Sequence, residues 1–255
     1  MGYNTILLAK EEGYTVLTLN RQHEMNALSV EMRHELMRCF GRMEEDDSVR
    51  AVIITGGDKV FSAGIDLAEM ATLESGKLED YWRLMIESLQ KICAFKKPVI
   101  AAVSGIALGG GFNLVTACDI IVASETAIFG HPELKFGLNP LFDPLRRMVG
   151  TAKAKELAML GEPIGAQEAF RIGLVNKVSA PEAFMEDARS IAAHIVQKPP
   201  QAVEAVKKIS EIVPRLDKCA ALEYELEISE LLFSRTEIRE HMKKFLDTLK
   251  ARKKG

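Results

Sequence analysis

Short apolar segments rich in β-branched residues alternate with amphipathic segments, and this alternation constrains the fold more than any other feature of the chain. RAVIITGG (50–57), PVIAAVSG (98–105) and DIIVAS (119–124) are short and almost continuously apolar, which is typical of strands buried on both faces. The segment 78–95, between the first two, has the apolar spacing of a helix. Strands and helices in this order predict parallel βαβ units and an α/β fold.

The two ends of the chain extend this core in different ways. The segments 5–10 and 14–20 flank EEG and predict a β-hairpin. Ser29 is suited to cap a helix. The apolar face of that helix is formed by Met32, Leu36, Phe40 and Met43.

From about residue 151 onward the sequence is almost entirely helical, with one further strand predicted at GLVNKV (173–178). We therefore predict an α/β core over residues 1–195. A helical module over residues 196–255 follows it, and we expect this module to carry contacts between subunits.

Composition and charge narrow the classes of function. The net charge of −3 argues against nucleic acid or an anionic membrane recognised by bulk charge. Four scattered cysteines with no closely spaced pair predict neither a disulfide framework nor a zinc site, and they favour a cytoplasmic protein. No segment has 18 uninterrupted apolar residues, and the first residues lack the pattern of a signal peptide. We expect a protein without a metal, a membrane span or a nucleic-acid partner.

Two glycine-containing segments follow predicted strands. They are VFSAGIDLAEM (60–70) and VSGIALGGGFNLVTACD (103–119), and neither has the pattern of a phosphate-binding or dinucleotide-binding loop. Glycine lets a backbone N–H approach a ligand oxygen, and a helix beginning at about residue 111 would add unpaired N–H groups and a positive dipole end. One N–H from each loop would stabilise an enolate oxygen. The residues alone leave a second interpretation open, in which the glycines only permit close packing of a helix on a strand.

Longer motifs carry a resemblance to a known family. The chain resembles the enoyl-CoA hydratase/isomerase family (the crotonase superfamily) over nearly its whole length. The matching stretches are LTLNRQHEMNALS (17–29), RAVIITGGDKVFSAGIDLAEM (50–70), KPVIAAVSGIALGGGFNLVTACDIIVAS (97–124), FGHPELKFGL (129–138) and AQEAFRIGLVNKV (166–178). The resemblance implies a crotonase-like α/β spiral of ββα units with C-terminal helices, and assembly into trimers or pairs of trimers. It also implies an acyl-CoA thioester substrate, with coenzyme A as part of the substrate and no separate cofactor.

The resemblance assigns roles to particular residues. The two oxyanion N–H groups would belong to Ile65 and Gly110, and Asp66 would hold the shape of its loop. Glu133, in HPEL, would be the catalytic acid/base. Further positions that the resemblance places against the substrate or its CoA moiety are Asn26, Ala27, Leu28, Ala63, Gly64, Gly109, Pro132 and Phe142.

The chain departs from the family at a second carboxylate. Hydratases of the family carry a glutamate just after the glycine triplet, but this position is Asn113 here. A carboxamide cannot exchange a proton at neutral pH, although it can orient water or substrate. A single Glu133 suits a 1,3-proton shift, as in isomerases, and it also suits hydration if Asn113 holds the water. Thioester hydrolysis or decarboxylation on the same scaffold is an alternative; an RNA-binding or scaffold role is disfavoured by the acidic charge.

Other departures concern the ends of the substrate. The segment 136–150 lacks the glycine-rich sequence of typical hydratases, which places Asp143 as a candidate added acid or a turn former. His131 would share a side of the chain with Glu133 and either shape the pocket wall or take part in catalysis. A lysine that in the family often meets the CoA phosphates is replaced by Ala68. We expect Arg21, or Lys250 or Arg252 from the tail of a neighbouring subunit, to contribute to that contact.

Overall fold

The alternating segments form two sheets in the computed structural model, which describes residues 2–234 and 236–252. The strands are β1 (Ile6–Lys10), β2 (Tyr14–Leu19), β3 (Ala51–Thr55), β4 (Val60–Ser62), β5 (Val99–Val103), β6 (Ile106–Leu108), β7 (Ile120–Ser124), β8 (Ile128–Gly130), β9 (Ile164–Gly165) and β10 (Lys177–Ser179). The larger sheet has the order β1-β2-β3-β5-β7-β10 and the smaller sheet β4-β6-β8-β9. Only the β1–β2 and β8–β9 pairs of these strands are antiparallel.

Helices follow the strands in a repeating pattern. They are α1 (Val30–Glu45), α2 (Leu67–Ala71), α3 (Leu78–Cys93), α4 (Gly110–Thr116), α5 (Phe142–Leu160), α6 (Ala166–Arg171), α7 (Phe184–Val196), α8 (Pro200–Ile212), α9 (Lys218–Phe233) and α10 (Thr236–Arg252). The repeating unit is a ββα segment, in which the first strand joins the larger sheet, the second strand joins the smaller sheet, and a helix follows. The strand pairs β3–β4, β5–β6 and β7–β8 are three such ββα turns.

Both faces of the central strands of the larger sheet are buried, which explains why these strands lack polar alternation. Alternate residues of β3 illustrate this: Val52 and Ile54 pack with α1 and α3, whereas Ala51 and Ile53 pack with α7. The predicted helix after Ser29 is confirmed, because the Ser29 hydroxyl accepts a hydrogen bond from the Met32 N–H and all four residues of its apolar face are buried. The predicted hairpin is also present.

One predicted strand is displaced. The segment 173–178 was expected to be extended, but β10 begins only at Lys177. The N–H groups of Leu174 and Val175 donate to the Ala169 carbonyl at the end of α6, so these residues close a helix rather than join a sheet. Their apolar side chains are buried, which gives them the composition of a strand without its hydrogen bonds.

The chain divides into two units, one ending at Gln197 and one beginning at Lys198. The first unit holds both sheets and helices α1 to α7. The second holds α8, α9 and α10. No helix in the described ranges is long and apolar enough to cross a membrane.

Candidate active site

The loop after β4 exposes a backbone N–H because of a glycine in a left-handed conformation. Gly64 has φ +103°, and a Cβ at this position would lie 2.7 Å from the Leu108 carbonyl oxygen, so no side chain fits. The Gly64 carbonyl accepts a hydrogen bond from the Leu28 N–H. The next amide, that of Ile65, has no acceptor in the described part of the chain.

The loop after β6 brings a second amide to the same place. Gly109 has φ +50° and precedes α4, whose first residue is Gly110. As the first residue of a helix, Gly110 has an N–H outside the helical hydrogen-bond ladder, and no described residue accepts it. A Cβ at Gly110 would lie 3.2 Å from the Ile65 nitrogen, and both residues line one pocket. The two glycine loops therefore meet, as the oxyanion interpretation expects.

The loop after β8 adds a carboxylate to this pocket. Glu133 lies in a 3-10 turn (Pro132–Phe136), its side chain is only 10% exposed, and its Oε1 lies 3.3 Å from the position of a Cβ on Gly109. Its Oε2 is buried and has no hydrogen-bond partner among the described residues. A buried carboxylate oxygen without a hydrogen-bond partner is unusual in a folded protein, and it indicates an acceptor that is available to a ligand.

A second residue that lines this pocket carries an amide oxygen without a hydrogen-bond partner in the described chain. Asn113 projects from the first turn of α4 and lines the pocket together with Glu133. Its Oδ1 is buried and, in the described chain, unpaired. This oxygen can accept a hydrogen bond from water or from a substrate.

The remaining wall of the pocket is mostly apolar, and much of it was not found from the sequence. The pocket has about 500 Å³ of empty space, including its open mouth. Trp82 and Met85 lie three residues apart on α3 and both face it. Their helical spacing was visible in the sequence, but the same spacing describes any helix that packs on a core. Other walls come from Ala63, Leu67, Pro132, Phe136, Leu138, Asn139 and Leu141.

The family model described as enoyl-CoA hydratase/isomerase matches residues 9–255. The chain belongs to the enoyl-CoA hydratase/isomerase family. It is 39% identical to a crotonyl-CoA hydratase of Syntrophomonas wolfei over 98% of both chains. It is 38% identical to a short-chain-enoyl-CoA hydratase of Clostridium acetobutylicum, over 98% of this chain and 97% of that one.

Solved structures extend the likeness to three dimensions. A crystal structure of an enoyl-CoA hydratase from Bacillus anthracis superposes with a TM-score of 0.93 at 31% identity, covering 96% of this chain and 97% of that one. An enoyl-CoA hydratase from Mycobacterium smegmatis gives 0.91 at 33% identity, with the same coverage. The predicted crotonase-like α/β fold is therefore confirmed.

In this family member the segment 21–28 acts as a support for the oxyanion loop. The Asn26 side chain is fully buried; its Oδ1 accepts from the Arg21 N–H and its Nδ2 donates to the Gly56 and Val60 carbonyls. The Met25 carbonyl accepts from the Ala63 N–H. Asn26 therefore contributes through the shape of the loop, since its polar atoms are occupied. Ala27 and Leu28 lie beside it, and Leu28 bridges to Ile65.

Arg21 connects two segments of the site. Its guanidinium donates to the Ala27 carbonyl at 2.6 Å and to Asp66 Oδ2 at 3.0 Å, and it also pairs with Glu24. These contacts join the 21–28 segment to the loop that carries Ile65. They give Arg21 a structural role in the chain, and its predicted contact with the CoA phosphates stays a prediction.

Asp66 is the residue of the Ile65 loop to which Arg21 binds. It caps α2 by accepting from the Glu69 N–H, and it accepts from Arg21. Burial raises the pKa of Asp66, but these hydrogen bonds and the Arg21 charge outweigh burial, so the pKa lies below its ordinary value. Its contacts are those of a residue that holds the loop, as the resemblance implies.

We expect Asp66→Asn to lower the melting temperature, with an effect that depends on pH. Because the folded-state pKa lies below the unfolded value of about 3.9, the carboxylate stabilises the fold fully above that value and loses this contribution as the pH falls through the folded-state pKa. The difference in melting temperature between wild type and variant should therefore be larger at pH 7 than at about pH 2.5, below the unfolded-state value. A difference that is constant over this range would contradict the assignment.

Two predicted residues at the far end of the pocket lie outside it. Asp143 is exposed in the first turn of α5, where it pairs with Arg146 and Arg147. Hydrogen bonds from these two arginines lower the pKa of Asp143. Leu141 and Phe142 both pack against the core, and of the two only Leu141 lines the pocket. Neither Asp143 nor Phe142 is among the lining residues, and their roles as an added acid and a substrate contact stay predictions.

Proposed function

We propose that the protein hydrates short-chain 2-enoyl-CoA thioesters to 3-hydroxyacyl-CoA. The observation that carries the proposal is the pairing of two unsatisfied oxygens in one pocket, Glu133 Oε2 and Asn113 Oδ1, beside the N–H groups of Ile65 and Gly110. An isomerase needs only the carboxylate. The buried Asn113 oxygen is suited to hold a water molecule, and a water is the second reactant of hydration.

The chemistry follows from these groups. The N–H groups of Ile65 and Gly110 would bind the thioester oxygen, and Asn113 Oδ1 would accept a hydrogen bond from the water. Glu133 takes one proton from the water as the water oxygen bonds to Cβ, and the C=C electrons move onto the thioester oxygen as an enolate. Glu133 then returns the proton to Cα, and the thioester carbonyl re-forms. One carboxylate thus moves one proton, and no second acid is required.

The names of two relatives support a short acyl chain in the substrate. The proteins named crotonyl-CoA hydratase and short-chain-enoyl-CoA hydratase match nearly the whole chain at 38–39% identity. Trp82 and Met85 place bulky side chains in the pocket wall, which suits a short acyl chain. Isomerisation is the second candidate, since Glu133 is the one carboxylate among the residues that line the pocket.

Crotonyl-CoA and a 3-enoyl-CoA should be compared directly as substrates. We expect hydration of crotonyl-CoA, followed as loss of the enoyl absorbance and incorporation of labelled oxygen from water, to be the faster reaction. Faster conversion of the 3-enoyl-CoA to the 2-enoyl isomer would assign the protein as an isomerase. Release of free CoA without either reaction would favour the hydrolase or decarboxylase alternative.

The proposal includes association into trimers or pairs of trimers. Large apolar side chains of the second unit are more than half exposed in the single chain, and these include Leu222, Leu226, Leu231 and Phe233. Apolar exposure on this scale is typical of interfaces. A cytoplasmic location, expected from the scattered cysteines, also stays a prediction.

No described cluster of three or more His, Cys, Asp or Glu residues could hold a metal ion. The residues around the pocket supply N–H donors, a carboxylate and a carboxamide, and the reaction proposed above uses only these groups. The CoA moiety would arrive with the substrate.

A further inference from the structure

An imidazole lies against the proposed acid/base. His131 Nδ1 is 3.3 Å from Glu133 Oε1, and His131 is 1% exposed. Within the described residues this is the one side-chain hydrogen bond and the one ion-pair contact that involves either group. No other described charged side chain lies within ion-pair distance of either group, so the two side chains determine each other's side-chain hydrogen bonding.

The contact fixes where the imidazole proton lies. With the proton on Nδ1, the ring donates to the carboxylate, and Nε2 is a buried acceptor without a partner. With the proton on Nε2, a buried donor would have no acceptor, and the Nδ1 lone pair would face a carboxylate oxygen. The second arrangement loses a charge-assisted hydrogen bond and leaves an unsatisfied donor, so the Nδ1–H tautomer is favoured.

Aromatic packing holds the ring in this orientation. The imidazole centroid lies 4.7 Å from that of Phe112 at an interplanar angle of 38°, and Phe112 packs on Phe129 at 5.6 Å. Phe112 lies on α4, the helix that begins at Gly110. The imidazole is thus fixed by the same helix that supplies one oxyanion donor.

We infer that His131 is a positioning residue for Glu133. Its Nδ1–H holds Oε1, so Oε2 is the oxygen that takes the proton from water and returns it to Cα. Oε2 is the oxygen without a protein partner, and it belongs to a residue that lines the pocket. A carboxylate held by one oxygen exchanges protons in one geometry, which matters more in a site with a single carboxylate than in a site with two. This inference rests on the proposed function.

Two substitutions separate the hydrogen bond from the packing. His131→Phe keeps an aromatic ring beside Phe112 but removes the donor. His131→Asn removes the ring but places an amide N–H close to the position of Nδ1, and it loses no Nε2 contact because Nε2 has no partner in the described chain. We expect His131→Phe to lower kcat for crotonyl-CoA by about 10–100-fold, the effect of losing one hydrogen bond to a charged group, with KM little changed. We expect His131→Asn to retain most of kcat and to have the lower melting temperature of the two.

The opposite pattern would overturn the inference. A His131→Phe variant with the kcat of the wild type would mean that the ring acts only by packing. A folded His131→Asn variant as slow as His131→Phe would mean that a donor at the Nδ1 position does not position Glu133. If His131→Phe does not fold, the kcat of His131→Asn decides alone. A wild-type protein that leaves every enoyl-CoA unchanged overturns the proposed function and this inference with it, whereas an active wild type restricts any failure to the role of His131.

Discussion

Replacement of Glu133 by Gln should lower kcat for crotonyl-CoA by about 10²–10⁴-fold, the usual contribution of general acid–base catalysis. The amide cannot take the proton from water, and no other carboxylate lines the pocket among the described residues. The substitution keeps the size of the side chain and an oxygen that can accept from His131. The variant should therefore fold and bind acyl-CoA with an affinity close to that of the wild type, which calorimetry with crotonyl-CoA would measure.

A matched control is Glu162→Gln, which makes the same chemical change at an exposed position. We expect its kcat to equal that of the wild type. If Glu133→Gln retained activity within a few-fold of the wild type, another group would have to move the proton, and the role of Glu133 would be lost.

Gly110→Ala should lower kcat by about 10²–10³-fold, as expected when one oxyanion donor is removed. The added Cβ would lie 3.2 Å from the Ile65 nitrogen and 2.8 Å from the end of the Met85 side chain. It therefore fills the space in which the thioester oxygen must meet both N–H groups. The flexible Met85 side chain can move away, but the Ile65 backbone cannot, so the loss should be in activity more than in folding.

Gly165→Ala is the control for this substitution. Its Cβ would meet no atom within 4 Å, and its φ of −82° suits any residue. Steady-state rates with crotonyl-CoA and melting curves of both variants should show loss of activity only at position 110. Equal rates in both variants would mean that the Gly110 amide does not bind the reacting oxygen.

The larger sheet could be predicted from the sequence because its strands are long enough to show their pattern. The segments 50–57, 98–105 and 119–124 each contain a five-residue strand. Strands β4, β6 and β8 have only three residues each, which is too short for any periodicity to be read. The local pattern therefore could not predict the smaller sheet, and only the family resemblance implied it.

Some residues of the site could also be predicted from the sequence, and others could not. Glu133, Ile65 and Gly110 lie in motifs, and the structure places them around one pocket. Trp82 and Met85 do not, because a pocket-facing helix position has the same composition as a core position. The partner of Arg21 could not be predicted either, since Asp66 lies 45 residues away and only the folded loops bring the two together.

The smaller sheet has a consequence for how such an enzyme changes over evolutionary time. Its parallel strands β4, β6 and β8 end at one edge, and the loops that follow them supply Ile65, then Gly110 with Asn113, then Glu133. Each catalytic contribution thus comes from a different turn of the spiral. A mutation in one loop can replace a residue that transfers a proton with one that binds water, while the N–H groups of Ile65 and Gly110 keep their geometry. Diversification of the reaction then needs no redesign of the scaffold.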